Sequence, residues 1–171
     1  SQNIVFLESL KIGAVRLTNQ FISDFIITEE KIQKCRNYVI EKINSIKNNI
    51  QNLGFEDCVG TSGTIQAVKS LSMKFNENDN LNWDEKNYIT YDEVNEVADF
   101  ILSKTTLEER LKIIGLESKR ADIIPAGVII LQTIFDELKL KKMYISNYAL
   151  REGVVIDMIK KRIVKSFSSL N

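Results

Sequence analysis

The chain has 171 residues with 23 basic and 23 acidic side chains, so its formal net charge is +0 and no bulk field draws it to a nucleic-acid polymer or a membrane surface. It contains no histidine, which excludes Ser-His-Asp and Cys-His catalysis within the chain and removes the commonest zinc ligand. Two cysteines, Cys35 and Cys58, are too few for a secreted disulfide framework and read as buried thiols.

The length fits one domain with a sizeable core. No apolar run reaches the ~20 residues of a membrane span. Ser1-Gln2-Asn3 does not open a signal peptide, so the expected location is cytoplasmic.

In chain order, Ile4–Ile12 reads as a strand beside an exposed or vacant sheet edge, first an apolar run and then alternation. Gly13 breaks it, and Val15–Phe21 is either a strand end or a helical turn. Thr28 opens a helix with Glu29 and Glu30 in its first turn, where the dipole favours them. Ile32, Cys35, Val39, Ile43, Ile46 and Ile50 keep helical spacing as far as Gly54. Phe55–Val59 reads as a short strand running into Gly60-Thr61-Ser62-Gly63-Thr64, with a helix from Ile65 to Met73. A polar loop follows, then an extended piece at Asn87–Tyr91, and Asp92 is expected to cap a helix through Ser103.

Thr106 caps a short helix that Gly115 ends. Beyond Ser118 the apolar residues from Ala121 to Leu131 surround the helix axis, so that helix is buried, and Pro125 gives it a kink or a late start. Lys142–Ser146 is a strand, Asn147–Gly153 a turn and Val154–Ser166 a final helix. Strands alternating with helices give an α/β fold with a mixed sheet, flanking helices and a helical insert.

Three segments could carry chemistry. Gly60-Thr61-Ser62-Gly63-Thr64 joins a strand to a helix, so its backbone can approach an anion closely while the helix offers free N–H groups. The alternative is a plain tight turn, and no lysine follows the second glycine as a Walker loop requires. Arg151-Glu152-Gly153 follows a strand, at the sheet end where open α/β folds place ligands, or is a helix start with an acidic first turn. Arg120-Ala121-Asp122 is either a cap with a surface ion pair or a guanidinium reaching a phosphate. Arg16 has the same two readings, and Trp83 reads as a packing anchor.

In their order and spacing, Ser9–Thr18, Gly60–Thr64, Arg120–Gly127 and Ser146–Gly153 resemble the exopolyphosphatase / guanosine pentaphosphate phosphohydrolase (Ppx/GppA) family over almost the whole chain. The resemblance implies a ribonuclease H-like lobe of the actin, sugar kinase and Hsp70 superfamily. It implies the second lobe only. The first lobe, a glycine-rich phosphate loop and a water-activating glutamate are expected upstream.

The full-length protein would then remove terminal phosphate from polyphosphate, or the 5′ γ-phosphate from guanosine pentaphosphate, with magnesium that this lobe alone does not hold. Carried over residue by residue, Gly60, Thr61, Ser62, Gly63, Thr64, Arg120, Arg151, Glu152 and Gly153 become substrate-binding. No catalytic residue and no metal ligand falls in this chain, which is expected to be inactive alone. The implied partners are the N-terminal lobe and polyphosphate or a guanosine penta- or tetraphosphate, with no nucleic-acid polymer and no membrane. An open edge at Ile4–Ile12 also allows a homodimer.

Lys11, Asn19, Asn147 and Ala149 stand where the family usually has proline, glutamate, aspartate and glycine, which bears on substrate preference. The competing readings are a phosphate- or nucleotide-sensing module without hydrolysis, and a sugar kinase or chaperone lobe. The Arg151-Glu152-Gly153 match argues against the last.

Overall fold

A helix that is apolar on every side has to be covered on every side, and most of this chain is arranged to do that for one such helix. The computed structural model describes residues 4–75 and 86–146. In chain order the elements are α1 (Ala14–Phe21), α2 (Glu29–Leu53), β1 (Val59–Gly60), α3 (Gly63–Phe75), β2 (Tyr88–Thr90), α4 (Tyr91–Ser103), α5 (Leu107–Leu111), α6 (Ile124–Leu138) and β3 (Lys142–Ile145). A 3-10 turn at Ser118–Arg120 leads into α6. The turn expected at Asn147–Gly153, the helix expected at Val154–Ser166, and Trp83 lie outside the described residues.

The helix ends follow local chemistry. The Thr28 hydroxyl accepts from the Lys31 N–H at the start of α2, and Gly54, at φ +69°, ends it. α5 starts at the expected Thr106, which forms a reciprocal capping box with Glu109. α4 is capped by Thr90 with Glu93 rather than by Asp92, because Thr90 alone places its hydroxyl and a Glu three residues on in register. Pro125 gives α6 a late start rather than a kink. It sits in the first turn, where no intrahelical N–H bond is lost.

The sheet is small and mixed, as expected. β3 lies between β1, which it pairs in parallel (Val59 with Tyr144), and β2, which it pairs antiparallel (Ile89 with Met143). Two strand expectations need correction. Residues 4–10 form no strand, and Ile4, Val5 and Leu7 are 79%, 76% and 82% exposed. An extended backbone becomes a strand only by pairing, and this segment pairs with none of the described strands. Phe55–Val59 shortens to Val59–Gly60, and of the two readings of Val15–Phe21 the helix holds.

α6 divides the core. Ala126 and Ile129 pack with Leu17, Ile22, Cys35, Val39 and Ile43 from the α1 and α2 side. Ile124, Val128, Leu131 and Phe135 pack with Val68 and Leu71 of α3 and with Val94, Val97 and Ile101 of α4. Burial pushes the Cys35 thiol up to about 11; Cys58, expected buried, is only half-buried because it lies at the edge strand. The fully buried Arg110 ties three connections together. It donates at 2.8 Å to the carbonyls of Ala121, Lys104 and Phe25.

Glu93 is the electrostatic anchor of the β2–α4 corner. Its carboxylate accepts from Ser72 (2.7 Å), Lys86 (2.9 Å), the Thr90 N–H (2.9 Å) and the Thr90 hydroxyl (2.8 Å). Burial alone would raise its pKa. The Lys86 ammonium and the Thr90 and Ser72 donors outweigh burial and bring it from its ordinary 4.5 to about 2. A depressed folded pKa stabilises the fold above the unfolded value, and that stability drains as pH falls toward the folded one. Urea midpoints should therefore fall between about pH 4.5 and pH 2 by an amount corresponding to roughly 3 kcal/mol, and Glu93→Gln should lose most of that pH dependence. Equal acid sensitivity in the two proteins would contradict this role.

Candidate functional site

The segment 60–64 leaves the carboxyl end of β1 and becomes α3 within three residues. Pairing holds its start, because the Gly60 carbonyl accepts from the Ser146 N–H at 3.0 Å. The Ser62 hydroxyl accepts from the Ile65 N–H at 3.1 Å and so caps α3. The helix begins at Gly63, two residues earlier than expected, so the second glycine and Thr64 lie in its first turn. Their N–H groups belong to those a helix leaves without an intrahelical acceptor, at its positive end.

Two close approaches fix this turn. A Cβ on Gly63 would collide with the Arg120 guanidinium. A Cβ on Gly127 of α6 would stand 2.6 Å from the Thr64 hydroxyl oxygen. The Thr64 side chain is thus seated on α6, which leaves its N–H as its polar group at the open end of the turn. At Gly127 there is no room for a Cβ beside Thr64, whereas at Gly63 a Cβ would push aside only the end of the Arg120 side chain.

Arg120 reaches Gly63 from the turn before α6. Its Nε donates to Glu117 at 2.8 Å, and the side chain is 28% exposed. Its carboxylate partner is therefore Glu117 and not Asp122. The Asp122 carboxylate instead accepts from the Ile123 N–H at 2.9 Å, at the start of α6.

Between α3 and residues 115–120 lies a cleft of about 370 Å³, lined by Gly63, Gln66, Lys69, Ser70, Glu117 and Arg120 among others. Ile145 lies on its wall, so the cleft opens at the carboxyl ends of β1 and β3, where α/β sheets place ligands. On the other side of the loop a separate, apolar hollow of about 310 Å³ is lined by Ile12, Gly13, Thr64, Gly127, Ile130 and Ile134.

Of the sequence candidates, the structure brings the 60–64 turn and Arg120 together. Arg16 is exposed on α1, and Arg151, Glu152 and Gly153 lie outside the described residues. Two charged cleft residues escaped the sequence reading. Glu117 orients Arg120. Lys69 is 2% exposed and donates to the Tyr88 carbonyl at 3.2 Å. Burial lowers the Lys69 pKa, with the charge of Glu93 opposing the shift. Its signal was legible: a lysine four residues after Ile65, on the inward face of α3. Among the described residues no group of three Cys, Asp or Glu side chains could hold a metal ion.

The arrangement suits an anion: helix N–H groups, one guanidinium and one buried lysine line a small cleft. Gly63→Ala should displace the Arg120 guanidinium without harming the helix, since alanine is the better helix former. The expected result is an unchanged or raised melting temperature with weaker tripolyphosphate binding by calorimetry. Full affinity in that variant would mean the close approach has no part in binding.

The sequence profile of the Ppx/GppA phosphatase family matches residues 1–162. A Haemophilus influenzae protein named "Putative exopolyphosphatase" is 32% identical over 153 residues, 90% of this chain and 45% of its own length. The guanosine-5′-triphosphate,3′-diphosphate pyrophosphatase of Photobacterium profundum is 32% identical over 155 residues, 91% of this chain and 29% of that protein. The chain thus spans less than half the length of these relatives. A crystal structure of an exopolyphosphatase from Cytophaga hutchinsonii superposes with a TM-score of 0.78 at 20% identity, over 93% of this chain and 51% of that one. The Ppx/GppA enzyme of Aquifex aeolicus superposes with a TM-score of 0.75 at 24% identity, over 91% and 50%. The extent of the profile match, rather than any single motif, decides the assignment: this chain belongs to the Ppx/GppA phosphatase family.

Proposed function

We propose that the chain is one lobe, the second, of a two-lobed phosphatase of the actin-like superfamily, and that its cleft holds the phosphate substrate. The substrate is inorganic polyphosphate, cleaved at its terminal phosphoanhydride, or guanosine pentaphosphate, cleaved at the 5′ γ-phosphate. The observation that carries the reading is the Arg120 guanidinium lying against Gly63, at the first turn of α3 and the carboxyl end of β1. Phosphoryl transfer depends on positioning and charge neutralisation, and those are the groups this cleft supplies. The fraction of each relative that the chain spans, 45% and 29%, supports the view that other parts complete the enzyme.

The division of labour follows from magnitudes. Hydrolysis needs roughly 8–23 kcal/mol of barrier lowering, whereas each charge-assisted contact supplies roughly 1.5–3 kcal/mol. The acid in the cleft, Glu117, is engaged by Arg120 and is not a free base. In this reading, as the resemblance to the family implies, the magnesium ligands and the water-activating base belong to the rest of the protein. The role left to this lobe is to bind, orient and neutralise.

In the full-length protein, Arg120→Ala should raise the Michaelis constant for polyphosphate about ten- to a hundredfold while the melting temperature stays near wild type. The 171-residue chain alone should release no phosphate above background with magnesium present. An unchanged Michaelis constant, or enzyme-like turnover by the isolated chain, would overturn the reading.

A further inference from the structure

Among the described residues Lys69 is the only buried lysine, yet it lines the cleft. Its ammonium has three donors, and among the described residues one is used, on the Tyr88 carbonyl at 3.2 Å. Within the described residues it forms no ion pair. The nearby carboxylate, Glu93, is already held by Ser72, Lys86 and Thr90. A buried charge short of partners is costly, and an apolar side chain of the same length would fill the space without that cost. Packing therefore does not account for lysine here, whereas a ligand reaching along the cleft does.

The cleft has the length for it. Gly63, Gln66 and Ser70 recur at helical spacing, so the wall follows α3 instead of ending at its first turn. Lys69 lies about 9 Å of helix rise beyond Gly63, where Arg120 sits. Two cations set apart along one polar wall fit an anion with two charged groups better than a single phosphate.

We infer that Lys69 is a specificity-determining residue, whose ammonium takes the second anionic group of a substrate whose first group is held at Gly63 and Arg120. That second group is a later phosphoryl of a polyphosphate chain or the 3′-diphosphate of a guanosine nucleotide. The inference rests on the reading of the cleft as the phosphate site.

The test measures dissociation constants of the full-length protein for four ligands: long-chain polyphosphate, pyrophosphate, guanosine pentaphosphate and GTP. Lys69→Met should weaken long-chain polyphosphate, or guanosine pentaphosphate, about ten- to a hundredfold and leave pyrophosphate and GTP unchanged. The arm that responds identifies the source of the second group. Lys69→Arg, which keeps the charge, should recover most of the loss. Lys69→Gln, which keeps a donor for the Tyr88 carbonyl, serves where the methionine variant does not fold. Equal weakening of all four ligands, or of none, overturns the inference. Arg120→Ala in parallel separates the two ideas. If it weakens all four while Lys69→Met weakens none, only the Lys69 role falls. If it too weakens none, the cleft reading falls with it.

Discussion

The constraint on which the rest depends is the closeness of α3 to α6 and to the turn that precedes it. Thr64 rests on Gly127, and the Arg120 guanidinium rests on Gly63, each in space that a single methyl group would fill. α6 is held between two apolar clusters and cannot retreat, so the first turn of α3 is fixed against a rigid backstop. Arg110 secures the approach to α6 from below by bonding the Ala121 carbonyl together with those of Lys104 and Phe25. The backbone position of Arg120 is thus inherited from the core, and its contact with Glu117 sets the direction of the side chain.

Charge is distributed to the same end. The chain as a whole is neutral, so any affinity for a polyanion has to come from local cations whose acidic neighbours are otherwise engaged. Glu93 is occupied by four donors and so does not neutralise Lys69 directly. Glu117 does pair with Arg120, but through Nε, which leaves the two terminal nitrogens over Gly63. This pairing orients the guanidinium as a second-row support orients a ligand, and it explains how a partly exposed arginine keeps one direction.

What the sequence made legible follows the range of each interaction. Local chemistry came through: Thr28, Thr106 and Gly54 mark helix ends because caps act within one turn. The buried α6 was readable from its all-round apolar pattern, and the loop from its glycines between strand and helix. Ile4–Ile12 carries the right alternation, yet strand formation is a pairing event, and sequence alternation names no partner. Glu117 was missed because its link to Arg120 looks like any exposed i,i+3 pair until the far side of the guanidinium is seen against Gly63. Lys69 was overlooked as one more charge on a helix, though its place on the inward face was written in the spacing. The cap of α4 lies at Thr90 and not at Asp92, because the capping box of Thr90 and Glu93 satisfies the backbone donors there.

The central claim is that the Gly63–Arg120 contact is a phosphate seat. A crystal structure of the full-length protein with a non-hydrolysable polyphosphate analogue tests it most directly. The account predicts phosphate oxygens about 2.7–3.1 Å from the backbone nitrogens of Gly63 and Thr64 and from a terminal nitrogen of Arg120. A phosphate chain bound elsewhere, with the cleft along α3 empty, would contradict it.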